Sequence, residues 1–290
     1  MAKILITGVR GLLGCSLTPI LVAAGHRVVG QSSGPGADFQ ADLQQHGQVA
    51  TLVRQAAPEI IINLAALTNV DECERNPQAA YLGNVRVVEN LAEAICEAES
   101  PVHLIQISTD QVYDGEGPHR EDQVTLRNCY GFSKYAGELV AASAGGTILR
   151  TNFFGRSQCP TRTSFSDWLV GALSRGEAIT VFDDVRFSPL SLTRLAELIE
   201  RVVRQPVSGV FNLGSRDGLS KADFAFMLAE VIGLATTSVS RSTSAGKKLL
   251  AYRPKDMCMD SSRFERQFRV ELPTLQAEII ALKAAYLNET

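Results

Sequence analysis

The chain has 290 residues, a net charge of −3, 45% hydrophobic residues and 20% charged residues. These values are ordinary for a globular protein, and the length suits one large domain or two interleaved domains. The sequence contains no long Lys/Arg block and no stretch of ~20 apolar residues, so it gives no support for binding to nucleic acid or for a membrane span.

A glycine-rich turn follows the first predicted strand, residues 4–7. Gly8, Gly11 and Gly14 lie between this strand and a helix predicted over residues 12–24. In such a strand–turn–helix setting, the spacing predicts that the pyrophosphate of a dinucleotide binds at the helix N-terminus, where backbone N–H groups are free. An ordinary glycine-rich turn is the alternative.

The first half of the chain alternates strand-like apolar runs with helical periodicity, a pattern typical of βαβ units and a parallel sheet. Strands are predicted at residues 4–7, 27–29, 60–63, 102–107 and 147–149, and helices at residues 12–24, 48–56, 79–96 and 130–142. The apolar runs fit a sheet that is buried on both faces. We therefore predict a Rossmann-like α/β fold with a doubly wound parallel sheet.

The pattern changes after Arg150. The sequence there predicts helices at residues 165–174, 192–204, 221–232 and 275–287, a strand at 209–213, and an exposed Ser/Thr-rich connector at 236–246. We predict a dinucleotide-binding domain made of residues 1–151 with 185–215. A smaller C-terminal substrate-binding lobe would comprise residues 152–184 with 216–290.

The predicted strands end in small or polar residues. Ser108, Thr109 and Asp110 follow one strand, and the small residues Ala65 and Ala66 lie just after another. Because ligands of open α/β sheets bind at the carboxyl ends of the strands, these residues and the glycine turn should share one rim. A polar strand end without a ligand is the alternative for the first group, and a pair of alanines that pack against a helix is the alternative for the second.

Tyr130 and Lys134 are four residues apart on a predicted helix and so lie on one face. An ammonium beside a phenol favours the phenolate, which predicts a lowered pKa for Tyr130 and proton exchange with a carbonyl or alcohol oxygen. A solvated helix face is the alternative.

The second predicted strand points to the preferred cofactor. NAD-binding folds place Asp or Glu after this strand to bind the ribose 2′-hydroxyl. Here no carboxylate follows until Asp38, and Arg10 precedes the middle glycine, where a guanidinium could reach a 2′-phosphate. We predict a preference for NADP(H), with NAD(H) as the alternative.

Six segments together resemble the extended short-chain dehydrogenase/reductase superfamily and, within it, the dTDP-4-dehydrorhamnose reductase family. They are ITGVRGLLG (6–14), INLAALTNVDECE (62–74), ISTDQVYDG (107–115), YGFSKYAGE (130–138), LRTNFFG (149–155) and RPKDMCMDSSRF (253–264). The resemblance implies hydride transfer to the ketone of a 4-keto sugar nucleotide. It also implies a cytoplasmic enzyme of dTDP-rhamnose and polysaccharide biosynthesis.

The resemblance further implies the roles of individual residues. Thr109, Tyr130 and Lys134 would be catalytic: Thr109 polarises the carbonyl, Tyr130 protonates the alkoxide, and Lys134 holds the nicotinamide ribose. The implied cofactor contacts are Gly8, Arg10, Gly11, Leu12, Leu13, Gly14, Ser32, Asp42, Leu43, Leu64, Ala65, Ala66, Asn84, Tyr130 and Lys134. The implied substrate contacts are Thr68, Ser108, Thr109, Asp110, Asn152, Phe153 and, as a clamp for the diphosphate, Arg253.

Two departures from the family pattern leave the sugar open. Gln111 begins the segment after Ser-Thr-Asp, where an aromatic run is common, and Phe153 stands where relatives carry Trp. An epimerase or reductase for another sugar nucleotide is one alternative, and a non-catalytic NADP-binding regulatory subunit is another. A homodimer is compatible with the sequence.

No metal is expected. The six cysteines show neither a CxxC pair nor zinc-type spacing, and they indicate reduced thiols. The acidic residues Asp71, Glu72 and Glu74 fit a solvated helix start better than a metal site.

Overall fold

The strands of the computed structural model are short and mostly apolar, and the structure describes residues 1–246 and 248–287. In chain order the described strands are β1 (Lys3–Thr7), β2 (Arg27–Ser32), β3 (Phe39–Gln40), β4 (Ile60–Asn63), β5 (His103–Thr109), β6 (Thr147–Thr151), β7 (Phe153–Phe154), β8 (Ile179–Phe182), β9 (Arg186–Phe187), β10 (Leu190–Ser191), β11 (Gly209–Leu213), β12 (Leu219–Ser220) and β13 (Val239–Ser242).

Seven of these strands form one parallel sheet in the order β11-β6-β5-β4-β1-β2-β3. Its central strands carry side chains such as Ile4, Leu5 and Ile61 that have no solvent exposure, because helices cover both faces. This confirms the predicted Rossmann-like α/β fold. The strand order reverses between β1 and β4, and ligands of such sheets bind where the order reverses.

The helices flank this sheet or build a smaller lobe. In chain order they are α1 (Leu12–Ala23), α2 (His46–Ala56), α3 (Val70–Arg75), α4 (Pro77–Tyr81), α5 (Val87–Cys96), α6 (Cys129–Ser143), α7 (Phe165–Ser174), α8 (Leu192–Arg204), α9 (Lys221–Ile232), α10 (Ser262–Phe268), α11 (Leu275–Ala281) and α12 (Lys283–Leu287). Among the described residues, no helix is both long enough and apolar enough to cross a membrane.

Apolar side chains form two cores on the sheet and a third in the smaller lobe. The sheet cores contain Ile4 and Leu5, one on each face, whereas the lobe core is built around Phe187 and Phe224. Helix α10 packs against the sheet, because Phe264 belongs to one of its cores. The division into 1–151 with 185–215 and 152–184 with 216–290 stays a prediction, and its residues 247 and 288–290 lie outside the described residues.

Three predicted elements differ from the structure. The segment 236–246 is not a plain connector, because the backbone of β13 pairs in parallel with β8. The mostly polar sequence of β13, Val-Ser-Arg-Ser, gave no strand signal. The helix predicted over 79–96 begins earlier, at Pro77, and contains a π-helical turn, Leu82–Arg86, between α4 and α5. The helix predicted over 275–287 is split into α11 and α12.

Candidate active site

A cleft of about 860 Å³ opens at the carboxyl ends of the central strands. It brings together most of the residues that the sequence singled out. The predicted site residues that line it are Gly8, Arg10, Gly11, Leu12, Leu13, Gly14, Ser32, Asp42, Leu43, Leu64, Ala65, Ala66, Thr68, Ser108, Thr109, Asp110, Tyr130, Lys134, Asn152 and Phe153. Asn84 and Arg253 lie elsewhere.

The glycine turn has the geometry of a phosphate cradle. Gly8 has φ +65, and a Cβ there would lie 3.0 Å from the backbone nitrogen of Ala65; a Cβ on Gly14 would overlap the carbonyl oxygen of Val9. Helix α1 begins after Gly11 without a side-chain cap, so its first N–H groups remain available. Such a helix start fits a dinucleotide pyrophosphate.

A buried glutamine that the sequence did not single out holds this turn. Gln31, at the carboxyl side of β2, accepts a hydrogen bond from the Gly8 N–H at 3.1 Å and donates one to the Ala41 carbonyl at 2.7 Å. It also lines the cleft. Its partners lie 23 and 10 residues away along the chain, so only the fold reveals the role.

Hydroxyls at the end of β2 and two cations from other loops line the cleft. Ser32, Ser33 and Gly34 line it, together with Arg10 and Arg162. The carboxylate of the nearest acid, Asp38, instead accepts a hydrogen bond from the Gly30 N–H at 2.7 Å. The guanidinium of Arg10 donates to the Pro35 carbonyl, which holds it over this part of the cleft.

The three predicted catalytic side chains converge in the cleft. Asn128 caps α6 by accepting from the Gly131 N–H at 2.7 Å, which places Tyr130 and Lys134 in the first turns of the helix. Thr109 lies close enough to Tyr130 to favour the charged form of its phenol. The Lys134 ammonium donates to the Ile107 carbonyl at 2.7 Å.

Burial controls the pKa values of this group. Desolvation raises the pKa of Tyr130 above its usual range, so the predicted lowering of that pKa by Lys134 is wrong for this structure. Desolvation also lowers the pKa of Lys134 to about 8. The phenol therefore stays protonated at neutral pH, which suits a proton donor.

Asn84 lies in the π-helical turn and packs beneath α6 without lining the cleft. Its side-chain amide donates to the Leu67 carbonyl at 3.0 Å and to the Ser133 hydroxyl at 2.9 Å, and its carbonyl accepts from the Leu67 N–H at 2.8 Å. Its implied contact with the cofactor stays a prediction.

A buried ion pair supports the floor of the cleft. Arg150 Nη2 lies 2.6 Å from Glu138 Oε2, and both side chains are almost completely buried. Arg150 also donates to the hydroxyl of Tyr113 at 2.7 Å. The hydroxyl of Ser108, a predicted substrate contact, donates to Glu138. The charges within the YGFSKYAGE and LRTNFFG segments could have suggested this pair, because buried charges need partners.

A second cavity of about 260 Å³ adjoins the cleft, because Gln111 and Asn152 line both. Its wall is largely aromatic and aliphatic and includes two cations. The other lining residues are Phe165, Trp168, Thr180, Val181, Phe182, Val185, Lys221, Arg253, Pro254 and Met257.

Arg253 therefore borders this second cavity and not the cleft itself. Its Nη2 lies 2.7 Å from Asp71 Oδ2, and its Nη1 donates to the Ala251 carbonyl at 2.8 Å. The hydrogen bond from Arg253 lowers the pKa of Asp71.

The acidic residues of α3 have structural partners. The Glu72 carboxylate pairs with Arg75, and Glu74 accepts from the Cys129 N–H at 3.0 Å. Within residues 1–246 and 248–287, no three His, Cys, Asp or Glu side chains form a group that could hold a metal ion.

Comparison with known proteins gives consistent similarities. The family described as RmlD substrate binding domain matches residues 2–287. The probable low-salt glycan biosynthesis reductase Agl14 of Haloferax volcanii is 32% identical over 293 residues, which cover 97% of each chain. The dTDP-4-dehydrorhamnose reductase of Aggregatibacter actinomycetemcomitans is 28% identical over 98% of this chain and 99% of its own. A crystal structure of a dTDP-4-dehydrorhamnose reductase from Clostridium acetobutylicum aligns with a TM-score of 0.87 at 26% identity, covering 97% of this chain and 98% of its own.

Proposed function

Because the chain belongs to the dTDP-4-dehydrorhamnose reductase family of extended short-chain dehydrogenases/reductases, we propose that it reduces the 4-keto group of a nucleotide-activated deoxysugar with NADPH. The observation that carries the proposal is the convergence of Thr109, Tyr130 and Lys134 in the cleft that also holds the glycine turn. The relatives named above are reductases, which agrees with an NAD(P)-dependent oxidoreductase.

The cleft residues fit a dinucleotide. The first N–H groups at the uncapped start of α1 can bind a pyrophosphate, while Gly8 and Gly14 let the turn pack closely on the backbone of Ala65 and Val9. Lys134 lies within the same cleft for the nicotinamide ribose. The bound nicotinamide would supply hydride to the ketone carbon. NADP(H) is preferred over NAD(H) because Arg10 and the serines after β2 face the region of the ribose 2′ position, whereas Asp38 is turned toward Gly30.

The protein's own groups would manage the charge that develops on the carbonyl oxygen. Thr109 donates a hydrogen bond to this oxygen and orients it toward Tyr130. The Tyr130 hydroxyl gives its proton to the forming alkoxide, and Lys134, in the same cleft, would hold the nicotinamide ribose. The 4-keto sugar would contact Asp110 and Asn152, and its nucleotide would extend into the second cavity toward Arg253. A homodimer and a cytoplasmic location stay predictions.

The test follows NADPH oxidation with a dTDP-4-keto-6-deoxy sugar. We expect turnover by the wild-type chain and a loss of about 10²–10⁴-fold in kcat for Tyr130→Phe, which removes the proton donor. Tyr81→Phe is the matched control, because the Tyr81 hydroxyl contacts only Glu89 among the described residues. Full turnover by Tyr130→Phe would refute the catalytic assignment. NADPH binding without oxidation of any 4-keto sugar nucleotide would favour the regulatory-subunit alternative.

A further inference from the structure

Lys221 is an unusual lysine at the first position of α9. Its ammonium lies 3.2 Å from the centroid of the Phe187 ring and 4.5 Å from that of Phe165. Ser220 caps the helix, and the Lys221 N–H donates to the Val185 carbonyl at 2.8 Å, so the backbone of this residue is fixed. The side chain is thereby held at the wall of the second cavity.

The ammonium has no acceptor among the residues that the structure describes. The two aromatic rings attract a cation through their faces but cannot satisfy its three N–H donors. Asp110 is the acid that interacts with it electrostatically, but no ion pair forms, and the Asp110 carboxylate accepts from Asn152 instead. Burial lowers the pKa of Lys221 to about 7.

This placement is unfavourable for the folded protein by itself. A cation at a helix N-terminus opposes the helix dipole, and the half-buried position of Lys221 removes part of its hydration. A residue kept at such a position despite these penalties points to a ligand that supplies the missing negative charge. A methionine would fill the same aromatic surroundings without either penalty.

The other cation of the cavity cannot by itself balance a doubly charged ligand. The charge of Arg253 is already offset by the carboxylate of Asp71 at 2.7 Å. The diphosphate of a sugar nucleotide brings two negative charges into this space. Lys221 offers a second positive charge with free donors in the same cavity.

We propose that Lys221 is a substrate-binding residue whose ammonium binds the diphosphate of the nucleotide sugar together with Arg253. The inference rests on the proposed function for the identity of the substrate. It adds a contact that the sequence did not suggest, because a lysine at the start of a helix normally faces solvent.

Binding measurements on the full chain test this directly. Calorimetry with dTDP should show at least a tenfold weaker Kd for Lys221→Met, whereas thymidine, which lacks the diphosphate, and NADPH should bind within about twofold of wild type. Lys221→Arg should recover part of the loss, because it restores the charge. Lys283→Met, on the exposed face of α12, is the matched control and should bind dTDP like wild type.

Thermal unfolding separates a ligand contact from a structural one. Without ligand, Lys221→Met should melt at or above the wild-type temperature, because the variant loses a partly desolvated charge. A lower melting temperature together with unchanged dTDP affinity would overturn the inference. The inference would also be overturned if Lys221→Met weakened the binding of thymidine and of dTDP equally. It would be overturned as well if wild type bound neither dTDP nor UDP.

Kinetics keep this inference distinct from the proposed function. With an active substrate, Lys221→Met should raise KM about tenfold and leave kcat within about threefold. If Lys221→Met has normal turnover and an unchanged KM, the inference fails while the reductase assignment stands. If dTDP binding depends on Lys221 but no 4-keto sugar nucleotide is reduced, the assignment fails while the inference stands.

Discussion

The side-chain amide of Asn152 donates a hydrogen bond to Asp110 Oδ2 over 2.6 Å, and Asn152 belongs to the wall shared by the cleft and the second cavity. The carboxylate beside Thr109 is completely buried, and desolvation raises its pKa to about 6. The protonation state of this acid therefore changes close to neutral pH.

Asp110→Asn should make stability less dependent on pH. Because the folded-state pKa of Asp110 is raised from 3.8 to about 6, its contribution to stability is fully present below pH 3.8 and is lost as the pH rises through 6. Between pH 4 and pH 8, the free energy of unfolding of the variant, measured relative to that of wild type, should rise by up to about 3 kcal/mol. Urea denaturation at several pH values measures this difference.

The control for this series is Asp122→Asn, because Asp122 is exposed. The difference in free energy of unfolding between this control and wild type should stay constant across the same pH range. If the difference in free energy of unfolding between Asp110→Asn and wild type is also constant with pH, the pKa of Asp110 is not raised in the folded chain.

Arg10→Ala should reduce the preference for NADPH. Losing a charge-assisted contact to the 2′-phosphate should lower kcat/KM for NADPH about tenfold more than kcat/KM for NADH. Steady-state rates with each reduced cofactor measure this ratio. Arg54→Ala, at an exposed position of α2, should leave the ratio unchanged. A wild-type preference for NADH that Arg10→Ala does not alter would contradict the cofactor assignment.

Breaking the Glu138–Arg150 pair should be strongly destabilising. Glu138→Gln or Arg150→Met leaves one charge buried without its partner, and we expect each to reduce the free energy of unfolding by about 3–5 kcal/mol. The double variant Glu138→Gln/Arg150→Met should lose less than the two single losses combined. Denaturant titrations of all four proteins complete the cycle. Additive losses would mean that the two side chains do not depend on each other.

Gly14→Ala should impair the cofactor site, whereas Gly47→Ala should not. Both glycines lie in the first turn of a helix, but a Cβ at Gly14 would overlap the Val9 carbonyl and a Cβ at Gly47 meets nothing within 4 Å. We expect Gly14→Ala to weaken NADPH binding at least tenfold as the glycine turn shifts. Gly47→Ala should bind normally and gain up to about 1 kcal/mol in stability from helix propensity. NADPH titration and thermal unfolding check both variants.

The sequence predicted the central sheet well because burial on both faces forces continuous apolar runs in its strands. In segments such as Ile60–Asn63, the continuous apolar run predicts a buried strand. The smaller lobe was harder to predict, because strands such as Phe153–Phe154 and Leu219–Ser220 are shorter than any detectable periodicity. Strand β13 has three polar residues among its four, which resembles a loop in composition.

The candidate site also has a part that the sequence predicted and a part that it did not. Motif spacing placed Tyr130, Lys134 and the glycine turn in one cleft, because a turn and a helix fix local geometry. Burial and long-range partners could not be predicted. The raised pKa of Tyr130 and the aromatic surroundings of Lys221 depend on residues brought together only by folding.

The two-residue strand β3 ends one side of the central sheet. It pairs only with Gln31 and Ser32 of β2, and next to this pairing the Asp38 carboxylate accepts from the Gly30 N–H. Along residues 30–32 the border therefore offers little template onto which a strand of another molecule could add.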